Sequence, residues 1–157
     1  MKSSIISTAL ALCAVGMSAA NTKDITFTSP NGNLNIYISL KSATPQYTVY
    51  EGEIKDRNVY ALDNAMALEF EGMGKDSYTI SAPKRIKEHF EAPLYKTVSF
   101  SDEYNQVILK SKNGVNIEFR AYNSGVAYRF FTSSSKKEWT IKNEIATFNF
   151  ADDKVAY

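Results

Sequence analysis

Hydrophobic and polar residues alternate with a period of two along most of this chain, the signature of strands with one buried face. Ile25 and Phe27 alternate with threonines, and Ser29-Pro30-Asn31-Gly32-Asn33 follows as a turn. Leu34, Ile36, Ile38 and Leu40 then alternate with Asn35, Tyr37 and Ser39, which predicts a hairpin. Tyr47-Thr48-Val49 after Pro45 predicts a third strand. Residues 51–63 mix charges without a period and read as a loop or irregular edge, after which Met66, Leu68 and Phe70 restore the alternation. Glu71-Gly72-Met73-Gly74 ends that strand, and Tyr78-Thr79-Ile80 makes a short one before Pro83. Residues 84–91 are the helix-like candidate: Ile86 and Phe90 sit four apart, in barely two turns confined by Pro83 and Pro93.

Val98 and Phe100 alternate with Thr97 and Ser99, leading through residues 102–105 into the most regular stretch, 107–131. There Val115, Ile117, Phe119 and Ala121 alternate with Asn116, Glu118, Arg120 and Tyr122. Lys112-Asn113-Gly114 and Asn123-Ser124-Gly125 punctuate it, and Asn and Gly accept positive φ at little steric cost. The prediction is an antiparallel meander. Trp139 and Ile141 begin another strand after a turn at residues 133–135, and Phe148 and Phe150 alternate in a last one before Asp152-Asp153. About ten short strands with little helix specify an all-β antiparallel sandwich.

The first twenty residues stand apart from this pattern. Lys2, the apolar run 5–17 and the small residues Ser18-Ala19-Ala20 predict a signal peptide over residues 1–20, and hence a periplasmic or secreted protein. The run is too short to span a bilayer comfortably, so no membrane association is expected after its removal. Cys13 follows Leu12 instead of a small residue, which argues against lipidation. Residues 21–157 then form one domain of ordinary length, with basic and acidic side chains in balance. That balance gives no support to nucleic-acid binding. The single cysteine leaves with the signal, so no disulfide or thiolate metal site is available. All the aromatic residues lie in the mature part and are sufficient for a substantial core.

Candidate chemistry is sparse. His89 is the only histidine, its neighbours lack zinc-ligand spacing, and it reads as a surface residue. No Gly-x-Ser-x-Gly elbow appears. Glycoside hydrolysis needs two carboxylates flanking a sugar bond. Glu51, Glu53, Asp102, Glu103, Glu118 and Glu144 are candidates, but turns and polar strand faces ordinarily hold solvated carboxylates. Asp152-Asp153 lacks the spaced ligands of a calcium loop. Arg120 and Arg129 flank one hairpin as near-opposed cations, which repel unless a carboxylate such as Glu118 lies between them. An ion-pair framework is the expectation, and a bound sugar or anion the sharper alternative. Tyr122 and Tyr128 could stack on sugar rings, although strand aromatics more often pack in a core.

The segment 119–130, F-R-A-Y-N-S-G-V-A-Y-R-F, resembles the F-R-x-Y-N-D-G-V-A-F-R-Y signature of the amino-terminal domain of glycoside hydrolase family 97. Ser29-Pro30-Asn31-Gly32-Asn33-Leu34 is similar to the family's S-P-D-G-K-L turn, and Tyr104-Asn105 to its Y-N-E. Phe90-Glu91-Ala92-Pro93-Leu94-Tyr95 resembles W-x-P-x-x-G, and residues 141–148 the I-x-x-E-x-x-x-F run. Ser124 replaces the usual Asp, Phe90 the usual Trp, and residues 54–83 match poorly. The resemblance implies a galactose-mutarotase-like β-super-sandwich, incomplete at its C-terminal end. In the family it precedes a catalytic (β/α)8 barrel of a secreted, calcium-dependent α-glucosidase or α-galactosidase acting on α-linked oligosaccharide. It implies that the catalytic carboxylates and most calcium ligands belong to the barrel. The amino-terminal domain adds one calcium-binding glutamate after a W-x-P-like motif, which here would lie beyond Tyr157. The expectation is therefore a non-catalytic domain with no catalytic, cofactor or metal residue of its own, inactive by itself. The alternative is a stand-alone carbohydrate-binding or surface-adhesion β-sandwich.

Overall fold

A computed structural model describes residues 23–52, 58–72, 76–91, 99–132, 135 and 138–150. The predicted export signal, Glu53, the segment 92–98, the Asp152-Asp153 pair and Tyr157 lie outside the described residues. Among the described residues ten strands run in order: β1 Asp24–Thr28, β2 Leu34–Ser39, β3 Gln46–Glu51, β4 Asn58–Phe70, β5 Tyr78–Ile80, β6 Lys84–Glu91, β7 Ser99–Ser111, β8 Val115–Tyr122, β9 Gly125–Thr132 and β10 Ile141–Ala146. One sheet has the order β1-β2-β3-β4-β10 and the other β5-β7-β8-β9, with β6 also on β7. All strand pairs are antiparallel. The fold is an all-β sandwich, as the alternation predicts.

The core lies between the sheets because each contributes the apolar set of its alternating strands. Phe27, Ile36, Ile38, Tyr47, Val49 and Met66 face Val107, Leu109, Ile117, Phe119 and Ala121. Tyr47 joins the layers, with its ring 5.6 Å from Phe119 and 5.8 Å from Tyr128. The described residues contain no cysteine, so this aromatic and aliphatic packing carries the stability of the layers.

Three elements differ from the sequence expectation. Residues 84–91 form strand β6, not a helix, paired with β7 over their full length from Lys84↔Gln106 to Glu91↔Ser99. A spacing of four residues satisfies period two as well as a helix, and two turns between prolines cannot offset helix nucleation, so sheet pairing wins. Strand β4 begins at Asn58, inside the region read as a loop. Its period is hidden by a bulge: the register with β3 shifts around Thr48, and Asp63 adopts φ 47°. The Thr48 hydroxyl accepts from the Asp63 backbone N–H at 3.1 Å and donates to its carboxylate at 3.2 Å, fixing the kink. Finally, Trp139 precedes β10 and packs edge-on against Phe70, while Phe150 makes only an isolated bridge to Ala61.

Candidate functional site

The hairpin β8–β9 organises the motif-bearing residues. Its turn is one step tighter than expected: Tyr122 pairs with Gly125, so Glu118 faces Arg129 directly and Arg120 faces Ala127. The arginines are thus diagonal neighbours sharing one acid, not an opposed pair. None of residues 123–125 has positive φ, whereas Gly114 in the preceding turn does, at 90°. Gly125 belongs to the strand, and Asn123-Ser124 alone reverses the chain.

Glu118 corrects the expectation of a solvated carboxylate, since it is 1% exposed. Arg120 Nε donates to its Oε1 at 2.7 Å, Gln106 Nε2 donates to the same oxygen at 2.6 Å, and Arg129 Nε donates to Oε2. Burial pushes its carboxyl up, but these donors outweigh burial and hold it below the usual range. Arg120 lies 4.4 Å over the Tyr104 ring, which itself packs 5.1 Å from Tyr122. Burial, then hydrogen-bond donation to Glu88, pushes the Tyr104 hydroxyl up to about 12. Burial alone would lower Arg120; the bonds to Tyr122 and Glu118 reverse that and raise it, so it stays charged.

Two of the four other sequence motifs converge on this hairpin. The Asn123 carboxamide oxygen accepts from the Asn31 backbone N–H at 2.9 Å, tying the β8–β9 turn to the β1–β2 turn. Ser29 Oγ accepts from Leu34 N–H at 3.1 Å and donates to Asn31 Oδ1 at 2.6 Å, while Gly32 takes φ 79°. Asn105 Nδ2 donates to the Thr28 carbonyl at 2.6 Å. Residues 29–34, 104–105 and 119–130 therefore build one polar clamp across the end of the two sheets. The sequence carried the signal, because these are three of the five segments in which the family resemblance resides. Gln106 has no place in those motifs and emerges only from the register.

The remaining candidates stay dispersed. His89 is exposed and lies within 3.3 Å of both Ser99 and Ser101. Glu103 accepts from Arg85 at 2.7 Å and pairs with Lys87 at 2.9 Å. Glu51 accepts from Tyr60 at 2.6 Å, Asp102 faces Glu88 across the β6–β7 pair, and Glu144 is exposed on β10. Tyr128 packs on the core and Tyr122 on Tyr104, so neither presents a free ring as a platform. Among the described residues, no three His, Cys, Asp or Glu side chains group to hold a metal ion. The clamp can fix geometry; its carboxylate, engaged by three donors, is not placed to move a proton.

A family model described as glycosyl-hydrolase 97 N-terminal matches residues 27–157. The chain belongs to this family. A retaining alpha-galactosidase of Bacteroides thetaiotaomicron is 28% identical over 148 residues, covering 92% of this chain and 21% of the enzyme. Structures of a glycoside hydrolase family 97 enzyme from Pseudoalteromonas sp. strain K8, in complex with panose and with acarbose, share the fold. Each has a TM-score of 0.62 and 21% identity, covering 82% of this chain and 20% of the other. The chain thus spans about a fifth of the length of these relatives. It is a domain of the amino-terminal class of a glycosidase family, and those relatives are enzymes.

Proposed function

We propose that this chain is the non-catalytic amino-terminal domain of a periplasmic or secreted α-glycosidase, packing on a catalytic barrel and shaping the pocket for an α-linked oligosaccharide. The observation that carries this reading is the state of Glu118. The most deeply buried carboxylate of the described residues is locked by Arg120, Arg129 and Gln106, a framework arrangement instead of an acid and base poised across a sugar bond. The family membership and the relatives' greater length support the same division of labour, with the chemistry in the part of those enzymes that this chain does not match. Calcium, on this reading, serves the whole enzyme.

The test is turnover of chromogenic α-galactosides and α-glucosides by the purified 157-residue chain, with and without calcium. The expected rate equals that of the buffer blank in both conditions. A protein-dependent rate that rises with added calcium and falls with a chelator overturns the proposal.

A further inference from the structure

A cleft of about 380 Å³ opens between the sheets where β4 ends. This volume falls in the lower part of the range of small-ligand sites, about 300–1,000 Å³. Both sheets line it, and it shares no lining residue with the Glu118 network. Phe70 and Glu69 come from β4, Lys142 from β10, Tyr78 from β5, Asp76 from just ahead of β5, and Asn113 from the β7–β8 turn.

Its polar side is preorganised. The Asn113 backbone N–H donates to Ser111 Oγ at 2.9 Å, and that hydroxyl donates to Asp76 Oδ2 at 2.5 Å. The Ser77 backbone N–H donates to the other Asp76 oxygen at 2.7 Å, so the carboxylate is held in one orientation. The apolar side is also set, since Trp139 packs against Phe70 at 5.1 Å and 62°. Among the described lining residues, Glu69 and Asp76 oppose one cation, Lys142, a balance that disfavours an anion. Carboxylates, an amide and an ammonium together offer both acceptors and donors, which suits hydroxyl groups that do both.

We propose that this cleft binds a neutral pyranose, the terminal unit of an α-linked saccharide, with Phe70 on its apolar side and Glu69, Asp76, Asn113 and Lys142 meeting its hydroxyls. The choice of sugar class rests on the glycosidase reading above; the site itself rests on the cleft. Aromatic rings give a pyranose a flat apolar face, and rim polar groups fix its orientation.

Calorimetric titration of the 157-residue chain with maltose and with methyl α-galactoside tests it. Saturable binding of at least one is expected. Phe70→Ala, Asn113→Ala and Lys142→Ala should each weaken that binding about tenfold or more. Lys142 is exposed, so its variant reads the site without disturbing the fold. Phe90→Ala, removing a half-exposed ring from β6, controls for indiscriminate stacking and should leave affinity unchanged. Absence of saturable heat with both sugars, or an affinity indifferent to Asn113 and Lys142, overturns the site. A chain that neither binds nor hydrolyses sugars overturns the cleft and leaves the domain reading standing. One that hydrolyses them overturns the domain reading whatever the cleft does.

Discussion

Glu118 shows how one side chain decides what a surface can do. Two guanidiniums and an amide surround its carboxylate, and removing the acid leaves Arg120, partly buried over Tyr104, without its counter-charge. Breaking such a pair costs about 3 kcal/mol. Glu118→Gln should lower urea-denaturation stability by about that much. Arg129→Ala should cost less, about 1 kcal/mol, because that side chain is 62% exposed and Arg120 still holds the acid. The acid profile follows from the sign of the shift. A carboxyl held below its unfolded value stabilises the fold fully above the unfolded pKa, about 4.3, and the contribution disappears as pH falls through the lower folded value. Thermal melts between pH 6 and pH 2 should therefore show an acid loss in the parent chain that is smaller in Glu118→Gln. Equal profiles for the two would mean the network contributes nothing.

At the level of elements, the bulge in β4 rests on one hydroxyl. Thr48 is buried opposite the kink and satisfies both the Asp63 N–H and its carboxylate. Thr48→Val keeps the shape and removes both hydrogen bonds to Asp63, which is itself exposed, so it should cost about 1 kcal/mol, the net worth of such bonds. Thr48→Ser should stay closer to the parent in the same denaturation experiment, and matching losses for both would assign the effect to packing. The bulge also explains what the sequence could not convey. Strands β1, β2, β8 and β9 were legible because their apolar residues recur at every second position without interruption. Strand β4 was not, because an inserted residue shifts the period at Asp63 and hides the half that begins at Asn58. Strand β6 was ambiguous, since Ile86 and Phe90 share a face in a helix and in a strand alike, and only the pairing with β7 decides. The ion-pair framework was foreseeable from charges flanking one hairpin. Its actual register and the burial of Glu118 depend on a turn of two residues that the motif Asn123-Ser124-Gly125 leaves open.

Over the whole molecule, apolar surface is distributed unevenly. The core closes around Tyr47, Phe119 and Met66, yet along β4, β10 and the segment after it Leu62, Ile141, Phe148 and Phe150 are 44%, 55%, 64% and 60% exposed. Among the described residues strand β10 ends the order of its sheet, so an edge and apolar side chains coincide there. An exposed edge beside apolar rings promotes association. The 157-residue chain should therefore self-associate with rising concentration in light scattering. Phe148 and Phe150 make few cross-strand pairs, so replacing both by Ser removes apolar surface while sparing the core and should shift the chain toward monomer. Parent protein that stays monomeric across the concentration series would contradict this account, as would a Phe148→Ser/Phe150→Ser variant that associates as strongly as the parent. A change confined to the Glu118 clamp should leave the association unaltered, because its residues do not contribute to that exposed patch.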